Sequence, residues 1–173
     1  MHGLSKKMLV TFVIVTLLGA FLRFGYTIFP NPVTALIAPT NESLWEHLKI
    51  LFWPYLLGTL VLTRGGEAGS RAPWLLTALI LCAGMLGCGY IYRILMGGDA
   101  LLVDAILYVL WMAAGFLLPG LLHAVTDRPG VGGCITLAAL VLCGMLVLFT
   151  FLPPDHVLFV DLSGVNTFAT IPY

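Results

Sequence analysis

Charged residues are scarce in this sequence. Asp, Glu, Lys and Arg make up 9% of its 173 residues, whereas 60% are hydrophobic and the mean hydropathy is +1.04. A water-soluble domain has about 25% charged residues, so the composition excludes that class and indicates a protein solvated by lipid. The eight basic side chains balance the eight acidic ones. This balance leaves no basic surface for a nucleic acid, and we do not expect one as a partner.

Common signatures of cross-linking and catalysis are also missing. The four cysteines lie within or at the edges of apolar runs, where they suit packing, so we do not expect a disulfide framework, and no CxxC motif is present. The sequence has no HExxH, GxSxG, SxxK or P-loop motif. A serine hydrolase or an NTPase is therefore not indicated.

Long apolar runs are what the sequence has in abundance. A bilayer core about 30 Å thick needs roughly 20 mostly apolar residues per helix. Continuous rather than alternating apolar residues favour helices over barrel strands. The sequence therefore predicts an all-α, polytopic membrane protein, with a five-helix bundle over residues 1–152 and spans at 8–29, 44–63, 73–92, 100–123 and 134–152. Residues 153–173 begin with two prolines and are broken by Asp, His and Gly, so we expect a C-terminal tail folded over the outer face.

Basic residues in the short loops predict the orientation. The loop residues Lys6, Lys7, Arg64, Arg71 and Arg128 all fall on one side of the predicted spans. Positively charged loops stay in the cytoplasm. We therefore predict a bacterial inner-membrane protein with a cytoplasmic N-terminus and an extracytoplasmic C-terminus. No small-x-small cleavage site follows the first apolar run, so we expect this span to be retained.

Polar residues gather where the second predicted span begins, in the segment 39–49. Ser43 and Glu46 have the spacing of a capping box, and a carboxylate suits the positive end of a helix dipole. Spacings of three and four residues also place Glu46 beside Lys49, and Ser43 beside His47. Capping explains only part of the charge at this helix end.

Three other charged residues, Arg23, Arg93 and Asp104, lie inside or at the ends of predicted spans near the same surface. An ionisable residue within a membrane costs about 3 kcal/mol, and it commonly faces a partner or a water-filled cavity. We predict that Arg23 pairs with Asp104 or with Glu46, either structurally or within a functional site. With Glu42 added, the candidate ligand-binding residues are Arg23, Glu42, Arg93 and Asp104.

Histidines and carboxylates predicted near the outer surface define a second candidate site. A tail folded over this surface would bring His156 and Asp161 toward His47. Imidazole and carboxylate ligands suit zinc, whose open coordination position can activate water. The candidate zinc ligands are His47, His156, Asp104 and Asp161, and the candidate catalytic residues are Glu46 and His47.

Two motifs carry a resemblance to known proteins. The sequence NESLWEHLK at residues 41–49, with the prolines at 153–154 and LFVD at 158–161, resembles a family of small bacterial integral membrane proteins of unknown function. That resemblance implies a multi-pass membrane protein and no assigned activity. The first motif is also loosely similar to that of the alkaline ceramidase and progestin/adipoQ receptor superfamily. This second similarity implies metal-dependent hydrolysis, since those proteins resemble seven-span hydrolases that use Ser, Asp and three His.

Three functions remain open at this point. One is a membrane protein with a structural polar band that assembles with a membrane-protein partner or as a homo-oligomer. Another is a transporter or small-ligand binder with a polar pocket. The third is a membrane-embedded hydrolase of a lipid or amide, with Glu46 as its general base. No cofactor is firmly implied; zinc is needed only by the hydrolase. In all three, the lipid bilayer surrounds the protein.

Overall fold

A computed structural model of the chain describes residues 6–64 and 71–163. Eight α-helices make up most of these residues: α1 Lys6–Leu22, α2 Gly25–Ile28, α3 Pro32–Ile37, α4 Leu44–Leu62, α5 Ala72–Gly89, α6 Leu101–Leu117, α7 Pro119–Thr126 and α8 Val131–Phe151. A π-helical segment, Tyr90–Leu95, continues α5, and a 3₁₀ turn, Val157–Phe159, follows α8. No strand occurs within these two described ranges, and the predicted all-α class is confirmed.

Helix α4 forms the centre of the bundle. It packs against α1, α5, α6 and α8, and side chains such as Phe52 and Tyr55 are almost fully buried along it. Helix α1 approaches α4 closely at Gly19, where an added Cβ would lie 2.2 Å from the Ile50 carbonyl oxygen. Small residues permit such close helix packing in membranes. The outer helices, by contrast, leave many large apolar side chains exposed.

Two helical segments, Ala72–Leu95 and Val131–Phe151, are long and apolar enough to cross a membrane. A third crossing results if α6 and α7, which are bent by 50°, form one span. The bend has a clear cause, because Pro119 lacks a backbone N–H and its ring clashes with the preceding turn. By length and composition, the described residues therefore contain two or three candidate spans, and the helix expected over 100–123 is broken.

The first two predicted spans differ from those candidates in definable ways. Helix α1 has 17 residues, and the helical structure is interrupted at Arg23 and Phe24 before α2 begins. Helix α4 matches the predicted span at 44–63, but charged residues occupy its first turns and most of it is buried in protein. Enclosure by neighbouring helices is the setting in which a helix can carry such residues.

Helix packing defines two ends of the bundle. Gly58 near the end of α4 lies beside Thr11 near the start of α1, and Gly89 at the end of α5 lies beside Leu44 at the start of α4. These contacts make α4 antiparallel to both α1 and α5. The basic residues Lys6, Lys7, Arg64, Arg71 and Arg128 belong to helix ends opposite the start of α4. The orientation of these two ends relative to the membrane remains a prediction.

Residues 153–163 return to the start of α4. The Phe159 ring lies 5.2 Å from the Trp45 ring and 5.4 Å from the Phe149 ring, measured between centroids. Asp161 Oδ1 accepts a hydrogen bond of 3.3 Å from the Glu42 backbone N–H. This part of the predicted tail thus contacts the polar end of the bundle. The remainder, residues 164–173, lies outside the described residues.

Candidate functional site: a charged cavity at one end of the bundle

A cavity of about 240 Å³ lies between α1, α4, α5 and α6 at the end where α4 begins. The arginine, histidine and acidic residues in its lining are Arg23, Glu42, His47, Arg93 and Asp104. Most of the remaining wall is apolar. The four candidate ligand-binding residues therefore surround one cavity together with His47. That they bind a ligand stays a prediction.

One carboxylate oxygen, Oε2 of Glu42, contacts both Arg23 and His47. Arg23, just after α1, donates from Nη2 to Glu42 Oε2 at 2.8 Å. His47 Nε2 lies 3.1 Å from the same oxygen. The close contact with His47 and the positive charges of Arg23 and Arg93 hold the pKa of the Glu42 carboxyl below its ordinary value. Glu42 is therefore ionised near neutral pH.

His47 makes two polar contacts in this site. Its Nδ1 lies 2.9 Å from the Ser43 carbonyl oxygen. A carbonyl can only accept, so Nδ1 carries a hydrogen. The contact between Nε2 and the Glu42 carboxylate is an ion pair only when the ring is protonated. The buried Nε2 has no hydrogen-bond partner in the described part of the chain.

A second ion pair, between Arg93 Nη2 and Asp104 Oδ2, lines the cavity from α5 and α6. Asp104 lies in the first turn of α6, where its charge also opposes the helix dipole. Arg93 lies in the π-helical segment, whose wider turn changes the direction of its side chain relative to an α-helix. The Ala100 N–H donates to Tyr92 Oη at 3.1 Å and helps hold the connection between the two helices.

These contacts correct one prediction from the sequence. The expected pairing of Arg23 with Asp104 or with Glu46 is wrong, because Arg23 pairs with Glu42 and Arg93 pairs with Asp104. The interruption of the helix after α1 allows the Arg23 side chain to reach the loop that precedes α4. The π-helical end of α5 brings Arg93 to the start of α6.

Glu46 lies outside the cavity, in a buried hydrogen-bond network. Its Oε2 accepts from Thr40 N at 2.9 Å and from Lys49 Nζ at 2.7 Å, and its Oε1 accepts from Thr150 Oγ1 at 3.0 Å. Lys49 Nζ also donates to the Ala35 carbonyl oxygen at 2.7 Å. Glu46 and Lys49 thus lie side by side, as their spacing predicted, and they form an ion pair. Its network joins α3, α4 and α8, and Glu46 is not among the residues that line the cavity.

Two of the four candidate zinc ligands line the cavity, and the other two do not. His47 and Asp104 line the cavity, and Asp161 binds the backbone N–H of Glu42. His156 is exposed, and its Nδ1 accepts from the Leu158 N–H at 3.3 Å to cap the 3₁₀ turn. Within residues 6–64 and 71–163, no three His, Cys, Asp or Glu side chains are grouped so as to hold a metal ion.

Two residues of the cavity wall, Tyr108 and Trp111, were not predicted as site residues. They line the cavity from α6 together with Asp104, which was predicted. Their spacing of four and three residues puts them on one helical face, a signal that was available in the sequence. Cys88 of α5 also lines the cavity, and nothing in its sequence neighbourhood marks it as a site residue.

These features define a class: an all-helical protein with two or three candidate membrane spans and a charged cavity at one end. The chain belongs to a family of unknown function, DUF6512, whose model matches residues 1–166. No curated protein and no solved structure matches the chain. The expected resemblance to a family of unknown function is therefore confirmed. Membership of this family assigns no activity to the chain.

Proposed function

We propose that this chain is a multi-pass membrane protein that binds a small amphipathic ligand in the cavity between α1, α4, α5 and α6. The observation that carries the proposal is the convergence of two ion pairs on a single cavity with mostly apolar walls. Ligand sites commonly combine such walls with a few converging polar groups. Ionisable residues at membrane depth commonly face a substrate or a cavity.

In the proposed membrane arrangement, α1 and α4 complete a five-span bundle. The 17 residues of α1 extend about 26 Å at 1.5 Å per residue, close to the roughly 30 Å of a bilayer core. Its exposed Val13, Ile14 and Leu17 suit contact with lipid. Helix α4 crosses inside the protein. The basic end lies in the cytoplasm by the positive-inside rule, so the cavity is nearer the extracytoplasmic face.

Reporter fusions test this arrangement. A cytoplasm-active reporter should work when fused after Arg128, and an export-dependent reporter should work when fused after Leu162. The reverse pattern would contradict the proposed orientation, and activity of the same reporter at both sites would contradict the five-span count.

Three probes with one chain length suit the cavity. A water molecule occupies about 30 Å³ in the liquid. If each non-hydrogen atom of a ligand takes the same volume, the cavity of about 240 Å³ holds about eight of them. Hexanoate, 1-hexanol and hexylammonium have about this size and differ in their head group. At least one of them should raise the Tm of the detergent-purified protein, because a ligand that binds only the folded state stabilises it.

A matched pair of variants assigns the binding to the cavity. Ala105 lines the cavity on α6, whereas Ala138 is exposed on α8 outside it. Ala105→Phe should fill the cavity and remove the Tm rise, whereas Ala138→Phe should leave it unchanged. No Tm rise with any probe, or an equal rise in the Ala105→Phe variant, would contradict the proposed function.

A further inference from the structure

We infer that the head group of the ligand is an anion, a carboxylate or a phosphate, bound by His47 Nε2 and by N–H groups of Arg23 and Arg93. The inference rests on the proposed function and specifies the chemistry of the same cavity. It follows from the charge of the lining, from unused hydrogen-bond donors and from the apolar wall.

A protonated His47 ring gives the cavity lining a net positive charge. The guanidinium groups of Arg23 and Arg93 balance the carboxylates of Glu42 and Asp104. A proton on His47 then leaves a formal charge of +1. Uncompensated charge is unfavourable where the effective dielectric constant is low, and an anionic ligand would neutralise it.

Several hydrogen-bond donors around the cavity are not engaged within the described residues. The bonds within the described residues engage only Nη2 of Arg23 and only Nη2 of Arg93, although each guanidinium has five N–H donors. His47 is 9% exposed, and its Nε2 is buried without a hydrogen-bond partner in the part of the chain that the structure describes. A buried donor without an acceptor is unfavourable. An anion oxygen would satisfy these donors through charge-assisted hydrogen bonds.

The rest of the ligand is apolar. Ile50, Met85 and Trp111 line the cavity from three different helices. Two sources supply this chemistry: a free anionic amphiphile, or an anionic lipid that places its head group here. The cavity volume admits a head group and a short apolar segment rather than a whole lipid.

The test compares Kd values of hexanoate, 1-hexanol and hexylammonium for the detergent-purified full chain. Hexanoate should bind about 10-fold more tightly than either of the others, since it alone can accept charge-assisted hydrogen bonds as an anion. In His47→Asn, the shorter amide can still donate to the Ser43 carbonyl oxygen but provides no group at Nε2. This variant should weaken hexanoate binding about 10-fold or more.

His156→Asn is the matched control, because His156 is exposed and outside the cavity. It should leave hexanoate binding unchanged. If His47→Asn does not fold, Arg93→Lys keeps the positive charge beside Asp104 but removes the planar fork of donors. Arg93→Lys should likewise weaken hexanoate binding and spare 1-hexanol.

The outcomes separate the inference from the proposed function. Equal or tighter binding of 1-hexanol or hexylammonium would overturn the anion inference and leave the ligand cavity intact. Hexanoate binding that is unchanged in both His47→Asn and Arg93→Lys would overturn it as well. Absence of binding by all three probes would reject the proposed function itself.

A lipid arm distinguishes the two sources of the anion. Hexanoate affinity is measured in nanodiscs of phosphatidylcholine alone and of phosphatidylcholine with phosphatidylglycerol. Phosphatidylglycerol competes with hexanoate only if its head group binds in the cavity. Weaker hexanoate binding in the nanodiscs with phosphatidylglycerol, together with no such weakening in the His47→Asn variant, would therefore support the inference and identify a lipid head group as the anion. Equal affinity in both nanodiscs, with the His47 dependence retained, would support it with a free amphiphile.

Discussion

The buried Glu46–Lys49 pair provides the sharpest prediction about stability. Lys49 has a side-chain exposure of 0% and Glu46 of 4%, with 2.7 Å between Nζ and Oε2. Removing one partner of a buried ion pair costs about 3–5 kcal/mol, because the other charge is left without compensation. Glu46→Gln and Lys49→Met should each lose stability in this range. For a chain of this size, about 2–4 °C of Tm per kcal/mol gives a decrease of about 6–20 °C.

The assay is thermal unfolding of the detergent-purified protein followed by tryptophan fluorescence. Lys7→Met is the matched control, since Lys7 is exposed at the start of α1 and a surface substitution changes stability by about 0.5 kcal/mol or less. The double variant Glu46→Gln/Lys49→Met has no unpaired charge. Its loss in free energy of unfolding should therefore be smaller than the sum of the losses in the two single variants, by about 1–3 kcal/mol. Additive losses, or a Lys49→Met variant as stable as Lys7→Met, would refute the reasoning.

Two further predictions concern the cavity rim and the helix contacts. The pKa of Glu42 is lower in the folded protein than the ordinary 4.5, so its ion pairs stabilise the fold above about pH 4.5 and this stability is lost as the pH falls through the lowered value. Glu42→Gln should flatten the dependence of Tm on pH below about pH 5, and an unchanged acid profile would contradict this role. Gly19→Ala should lower Tm because its Cβ would lie 2.2 Å from the Ile50 carbonyl oxygen of α4, whereas Gly87→Ala, with no atom within 4 Å, should raise stability by up to about 1 kcal/mol. Equal effects of these two substitutions would contradict the close α1–α4 packing.

Local sequence spacing predicted the start of α4 well. Ser43 Oγ accepts from the Glu46 N–H at 3.3 Å, as the capping-box spacing indicated. The other half of the box is not formed, since the Glu46 carboxylate binds Thr40, Lys49 and Thr150 instead. Thr150 is 104 residues away along the chain. No local pattern can predict a partner that only the packing of α4 against α8 brings near.

The cavity was predictable in composition but not in pairing. Charged residues at the ends of apolar helices were evident, and four of them surround one cavity. The ion-pair partner of each charged residue depends on two irregularities. One is the interruption of the helix at Arg23, and the other is the π-helical segment around Arg93. Pro119 was a visible signal for the bend between α6 and α7, whereas the π-helical segment has no comparable signature. Irregular helix ends therefore decide which charges meet.

Protection of Cys88 from alkylation is the most direct test of the ligand cavity. Cys88 lines the cavity, whereas Cys134 is an exposed thiol near the start of α8. Site-resolved mass spectrometry would follow alkylation of both thiols in the detergent-purified protein. With hexanoate at ten times its Kd, Cys88 should react about 11-fold more slowly, because only the unoccupied fraction is open to the reagent. The rate at Cys134 should not change; hexanoate that binds without slowing Cys88, or that slows both thiols alike, would contradict a ligand site in this cavity.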